Sequence, residues 1–122
     1  MSKKTVIIGA SPNPSRYAYI AARMLMDYGH EIVPVGIKKG EVFGHEIQDL
    51  RKKEKIENID TVTLYIGTRH QPEWYDYIVS LKPARVIFNP GTENPEFIQK
   101  VTDSGSEAIE ACTLVMLRSG QY

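Results

Sequence analysis

The stretch Gly9-Ala10-Ser11-Pro12-Asn13-Pro14-Ser15-Arg16 holds a dense set of groups that could meet an anion. Gly9 permits a tight backbone turn, and free amides at the start of a following helix favour a phosphate oxygen. Ser11, Asn13 and Ser15 add side-chain donors, and Arg16 adds charge. Against this, prolines at 12 and 14 remove amide donors, and only the first glycine of the dinucleotide fingerprint G-x-G-x-x-G is present. A rigid turn with an N-capping Ser or Asn accounts for the same residues, so this loop alone leaves both readings open.

A second stretch, Gly36-Ile37-Lys38-Lys39-Gly40, follows an apolar run at the place where NAD-binding proteins present an Asp or Glu to the ribose hydroxyls. No acid stands there. Lys38 and Lys39 instead suit an additional phosphate on the adenosine ribose, which coenzyme A carries at the 3′ position and NADP at the 2′ position. Solvated loop lysines need no ligand, but their place after this run favours the phosphate reading.

Thr68-Arg69-His70 and Asn89-Pro90-Gly91-Thr92 are the remaining polar turns. Gly67 and Gly91 permit close backbone approach, and Arg69 could face a pyrophosphate. His70 invites an acid–base role but has no acidic partner beside it, and it reads equally as a helix-start or surface residue. His30 and His45 are isolated, and no spacing of His, Cys and carboxylates suggests a metal site. Cys112 has no basic residue beside it in sequence and reads as a quiet buried or pocket-lining thiol. No catalytic residue and no metal ligand is assigned.

These turns need elements to position them. Thr5-Val6-Ile7-Ile8 is a continuous apolar run of the kind a strand buried on both faces requires. Tyr17, Ile20, Ala21, Met24, Leu25 and Tyr28 recur on one helical face, and Gly29 stands where a helix terminator belongs. Glu31 to Gly36 reads as a second strand, with Pro34 marking its end or a sheet edge. Residues 37–46 read as a loop with a brief extended piece at Val42-Phe43, and 48–55 as a short polar helix. Asp60 to Gly67 is a third strand. Gln71-Pro72 opens a helix bearing Trp74, Ile78 and Leu81, which Lys82-Pro83 stops. Ala84 to Phe88 is a fourth strand, Asn94-Pro95 starts another helix, and Ser106 to Glu110 is a fifth strand. The alternation predicts an α/β fold: a doubly wound parallel sheet of about five strands, with helices on both faces. In such sheets ligands bind beyond the carboxyl ends of the strands, where strand order reverses.

Bulk properties narrow the function classes. A chain of 122 residues predicts one domain over 1–122. Fifteen basic residues balance fifteen acidic ones, so neither nucleic acid nor an anionic membrane is an expected partner. The lone Cys112, the absence of a signal-peptide core and the lack of a bilayer-length apolar run predict a cytoplasmic location.

Val6-Ile7-Ile8-Gly9-Ala10-Ser11-Pro12-Asn13-Pro14-Ser15-Arg16-Tyr17, followed by Gly29-His30-Glu31-Ile32-Val33-Pro34-Val35, resembles the small bacterial CoA-binding domain proteins. These are single-domain relatives of the CoA-binding domain of the succinyl-CoA synthetase alpha subunit. Asn89-Pro90-Gly91-Thr92-Glu93-Asn94 and Glu110-Ala111-Cys112-Thr113 also resemble the family pattern, so the likeness spans essentially the whole chain. The resemblance implies a Rossmann-type domain that binds coenzyme A or an acyl-CoA. It carries the first loop onto Gly9, Ala10, Ser11 and Arg16, and the basic loop for the adenosine phosphate onto Lys38 and Lys39. Arg69, Asn89, Gly91 and Cys112 become pocket residues near the pantetheine path. With no ATP-grasp domain and no segment like the synthetase phosphohistidine loop, acyl-CoA ligase activity by this chain alone is not expected. The predicted role is a stand-alone binding module with a small-molecule ligand. The alternatives are an NADP-dependent oxidoreductase and a scaffold or regulatory domain that has lost its ligand.

Overall fold

In the computed structural model, which describes residues 2–122, the apolar runs and amphipathic stretches assemble into one parallel sheet covered on both faces. The chain runs through β1 (Thr5–Ile8), α1 (Tyr17–Asp27), β2 (Ile32–Gly36), β3 (Glu41–Val42), β4 (His45–Glu46) and β5 (Gln48–Asp49). It continues through β6 (Thr61–Leu64), α2 (Tyr75–Ser80), β7 (Arg85–Phe88), α3 (Pro95–Asp103), β8 (Glu107–Glu110) and α4 (Thr113–Arg118). The sheet order is β5-β2-β1-β6-β7-β8, with every neighbouring pair parallel. The chain winds outward from β1 to β2 and β5, then returns to start again at β6 on the other side. That reversal at β1 and β6 opens a crevice above the strand ends.

Strand alternation sorts the core into two layers. Val6, Ile8, Val62, Leu64, Val86 and Phe88 pack under α2 and α3, meeting Tyr75, Ile78, Phe97 and Val101. Ile7 and Ile87 point to the other face, against Ala18, Ala22 and Leu25 of α1 and Met116 and Leu117 of α4. Phe97 anchors the first layer, stacked on Tyr75 at 4.5 Å and edge-on to Phe88 at 5.5 Å. Fully burying such a ring contributes about 1.5–3 kcal/mol. Asn94 caps α3 as its sequence predicts, accepting from the Phe97 amide, with Pro95 in the first turn.

Three segments differ from their sequence expectations. Residues 41–46 form a small antiparallel hairpin, because Phe43 (φ 50°) and Gly44 (φ 83°) supply the two left-handed positions of a tight turn. Residues 48–55 are not a polar helix: Gln48 and Asp49 pair with Val35 and Gly36 as a sixth strand, and a single 3-10 turn follows at Leu50–Lys52. Burial of Leu50 and the open outer edge of β2 draw this segment onto the sheet. Thr5 and Gly9 donate to the Glu31 and Val35 carbonyls, which turns the intervening Pro34 toward that outer side. The sequence also holds no advance sign of α4, a helix of six residues.

The amino-terminal edge of the sheet is sealed by Tyr122. Its hydroxyl shares a hydrogen bond with Thr5 Oγ1 (2.6 Å), its ring lies 4.9 Å from that of His30, and its carbonyl accepts from Arg85 Nη2 (2.6 Å). The Arg85 guanidinium also lies over the Tyr122 ring.

Candidate functional site

The crevice is built by two close approaches. The amides of Gly9 and Ala10 both donate to the Val35 carbonyl, at 2.8 and 3.0 Å, so the loop after β1 folds down onto the end of β2. Gly9 turns at φ +99°, where a Cβ would also press on the Tyr65 backbone at 3.0 Å. Asn13 Oδ1 then accepts from the Ser15 amide (3.0 Å) and hydroxyl (2.8 Å), and Ser11 Oγ accepts from the Asn13 amide (3.1 Å). These local bonds fix the proline-rich turn and aim the start of α1 into the crevice.

No side chain caps that helix start. Among the described residues, the amides of Tyr17 and Ala18 have no hydrogen-bond acceptor, and both residues line the cleft. They are unsatisfied donors at the positive end of the helix dipole. Arg16 and Lys38 border the same space, and neither has an ion-pair partner among the described residues.

The cleft encloses about 780 Å³, the size of a small-molecule site. Its walls come from the turns after β1, β2, β6 and β7, with Leu50, Ile66 and Trp74 giving apolar surface. A second hollow of about 510 Å³ adjoins it, sharing Gly36, Ile37, Lys38 and Arg51. Tyr65 stands in the cleft wall. Burial pushes its phenol up to about 12, partly offset by the Thr63 and Thr113 hydroxyls. At neutral pH it is a donor, not a base. Among the described residues no cluster of three or more His, Cys, Asp or Glu could hold a metal ion, and no helix is long and apolar enough to cross a membrane.

Gly9, Ala10, Ser11, Arg16, Gly36, Lys38 and Gly91 all line the cleft. Lys39 lines the adjoining hollow. Asn13 is exposed and occupied by its own turn. Arg69 sits exposed on a 3-10 turn at Thr68–His70, outside the lining. Asn89 is buried behind the wall: it donates to Thr63 Oγ1 (2.7 Å) and the Leu64 carbonyl (2.9 Å) and accepts from the Thr113 amide (2.9 Å). Cys112 is half-buried at the start of α4 and also outside the lining. Residue spacing places Tyr17 and Trp74 only on helix faces and gives Ile37 and Arg51 no site role, yet the fold brings all four to the same space.

The chain matches the CoA binding domain family model over residues 3–118. The crystal structure of an uncharacterized protein is 52% identical, with a TM-score of 0.97, covering 100% of this chain and 99% of that one. A hypothetical protein from Pyrococcus horikoshii OT3 is 24% identical with a TM-score of 0.84, covering 97% of this chain and 83% of that one. A protein from Thermus thermophilus is 22% identical with a TM-score of 0.82, covering 99% and 91%. The last two share the fold. The comparison with curated proteins found no match. A sheet that reverses at β1, an uncapped helix start beside it and a family match over nearly every residue agree: the chain belongs to the CoA-binding domain family.

Proposed function

We propose that residues 1–122 act as one module that binds coenzyme A or an acyl-CoA in this cleft, without catalysis of its own. The observation that carries the reading is the meeting of the acceptor-free Tyr17 and Ala18 amides with Arg16 and Lys38 around one cleft. The pyrophosphate sits at the start of α1, held by those amides, Ser11 and Arg16. Lys38, with Lys39 close behind, takes the phosphate on the adenosine ribose. Gly9, Ala10, Gly36 and Gly91 let backbone approach the ligand, and the Ile66 and Trp74 walls receive its apolar parts. Asn13 and Asn89 serve the site from behind by fixing its loops. The unpaired Cys112 suits a reducing compartment, and we assign the protein to the cytoplasm.

Calorimetric titration with coenzyme A, dephospho-CoA and NADPH tests the reading. Coenzyme A binds tightest, and Lys38→Ala weakens it more than dephospho-CoA. Loss of a charge-assisted bond costs about 1.5–3 kcal/mol, or about tenfold and upward in affinity. Tight NADPH binding with none for coenzyme A would transfer the site to the dinucleotide alternative. Binding of no nucleotide at all would favour a scaffold.

A further inference from the structure

Arg51 lies in the segment that sequence patterning reads as a polar helix, yet the fold delivers it to the partition between the cleft and the adjoining hollow. It arrives there because Asp49 pairs in register with Gly36, the residue where β2 ends. Asp49 then grips the arginine three times. Oδ1 accepts from the Arg51 amide (2.9 Å) and from Nε (2.9 Å), and Oδ2 accepts from Nη2 (3.3 Å). A guanidinium has five N–H donors, so this two-point side-chain grip leaves the others free. The side chain stays 60% exposed, and Lys38 borders both of the same hollows.

A long arginine on a surface turn ordinarily loses rotamer freedom when it captures an anion. Here the carboxylate has already fixed the fork, at the rim where Lys38 stands. We propose that Arg51, braced by Asp49, is a second cation of the ribose-phosphate subsite and sets the preference for nucleotides carrying a phosphate monoester there. The inference rests on the reading of the cleft as a CoA site and adds a residue and a selectivity to it. Lys38 supplies a mobile point charge, and Arg51 supplies fixed, directional donors.

The test is calorimetric titration of the full chain and its R51Q and R51K variants with coenzyme A and with dephospho-CoA. The exposed side chain leaves folding intact, which the thermal unfolding temperature checks. R51Q weakens coenzyme A about tenfold and dephospho-CoA less than about twofold. R51K, which keeps the charge and loses the fork, falls between. Equal weakening of both ligands in R51Q would overturn the inference, since Arg51 would then be stacking on the base or contacting another part of the ligand. An unchanged affinity would overturn it as well. If the unmodified chain binds neither ligand, the CoA reading itself fails, and this inference fails with it.

Discussion

Gly36 and Ala10 approach so closely that a Cβ on Gly36 would lie 2.6 Å from the Ala10 carbonyl oxygen. The end of β2 and the loop after β1 therefore share one floor, and the cleft exists because no side chain stands between them. Backbone cannot swing aside as a flexible side chain can. Gly36→Ala should destabilise the fold by about 1–3 kcal/mol, the usual cost of forcing a methyl into a filled space. It should also widen the floor and weaken coenzyme A. Urea unfolding together with calorimetry checks both, and an unchanged pair of values would contradict the shared floor.

Asn89 ties β6 to the start of α4 from a fully enclosed position. Truncating it strands the Thr113 amide and the Leu64 carbonyl without their bonds to it. Asn89→Ala should cost about 2–4 kcal/mol, since each orphaned buried group costs about 1–3 kcal/mol. A denaturation midpoint within error of the parent protein would show that water replaces the lost side chain.

The Tyr65 phenol gives an alkaline limit. Its pKa rises from 10.0 in the unfolded chain to about 12 in the fold, so the native state keeps a proton that the unfolded chain has released. That stabilising contribution is complete below about pH 10 and is lost as pH climbs toward 12. Burial pushes Tyr77 and Tyr122 the same way, so Tyr65→Phe should remove only part of the decline. Unfolding free energies at pH 9, 10 and 11 for both proteins measure this. Identical slopes would mean that Tyr65 opens to solvent.

His30 sets an acid limit of opposite sign. Burial first, then the charge of Lys3, holds its pKa below 6.5. The Lys3 amide donates to Nδ1 at 2.9 Å, so protonation there requires that bond to break. The native state thus binds fewer protons than the unfolded chain. The contribution is present above pH 6.5 and is lost as pH falls through the depressed value. His30→Asn should flatten the stability profile between pH 7 and 5. A profile as steep as the parent's would assign the acid decline to carboxylates.

The strands and the main helices are legible because their signal is local: short runs rich in Val, Ile, Leu and Phe, such as Val6-Ile7-Ile8 before Gly9, or apolar residues at helical spacing ended by Gly29 or Lys82-Pro83. The buried face of α1 differs from that spacing, with Ala18, Ala21, Ala22 and Leu25 inside and Tyr17 and Tyr28 exposed. The cleft floor is equally legible, since Gly9 directly follows β1, Gly36 ends β2 and Lys38 lies two residues beyond it. What escapes pattern reading depends on partners distant in sequence. Gln48-Asp49 is a strand only because β2 presents an open edge beside it, and Arg51 reaches the rim only through that pairing. Asn89 looks like a pocket residue by position, and only the arrival of Thr113 shows that its amide is already spent. Tyr122 carries no motif, yet it seals the edge opposite the cleft through Thr5, His30 and Arg85.

That opposite edge supplies the control for the most direct measurement, an amide-resolved NMR titration of the labelled protein with coenzyme A. Binding at the carboxyl edge of the sheet predicts large saturable shifts at Tyr17, Ala18, Gly36 and Lys38, with Lys3, Arg85 and Tyr122 unmoved. Shifts gathered around Tyr122 instead, or none anywhere at saturating ligand, would contradict the account.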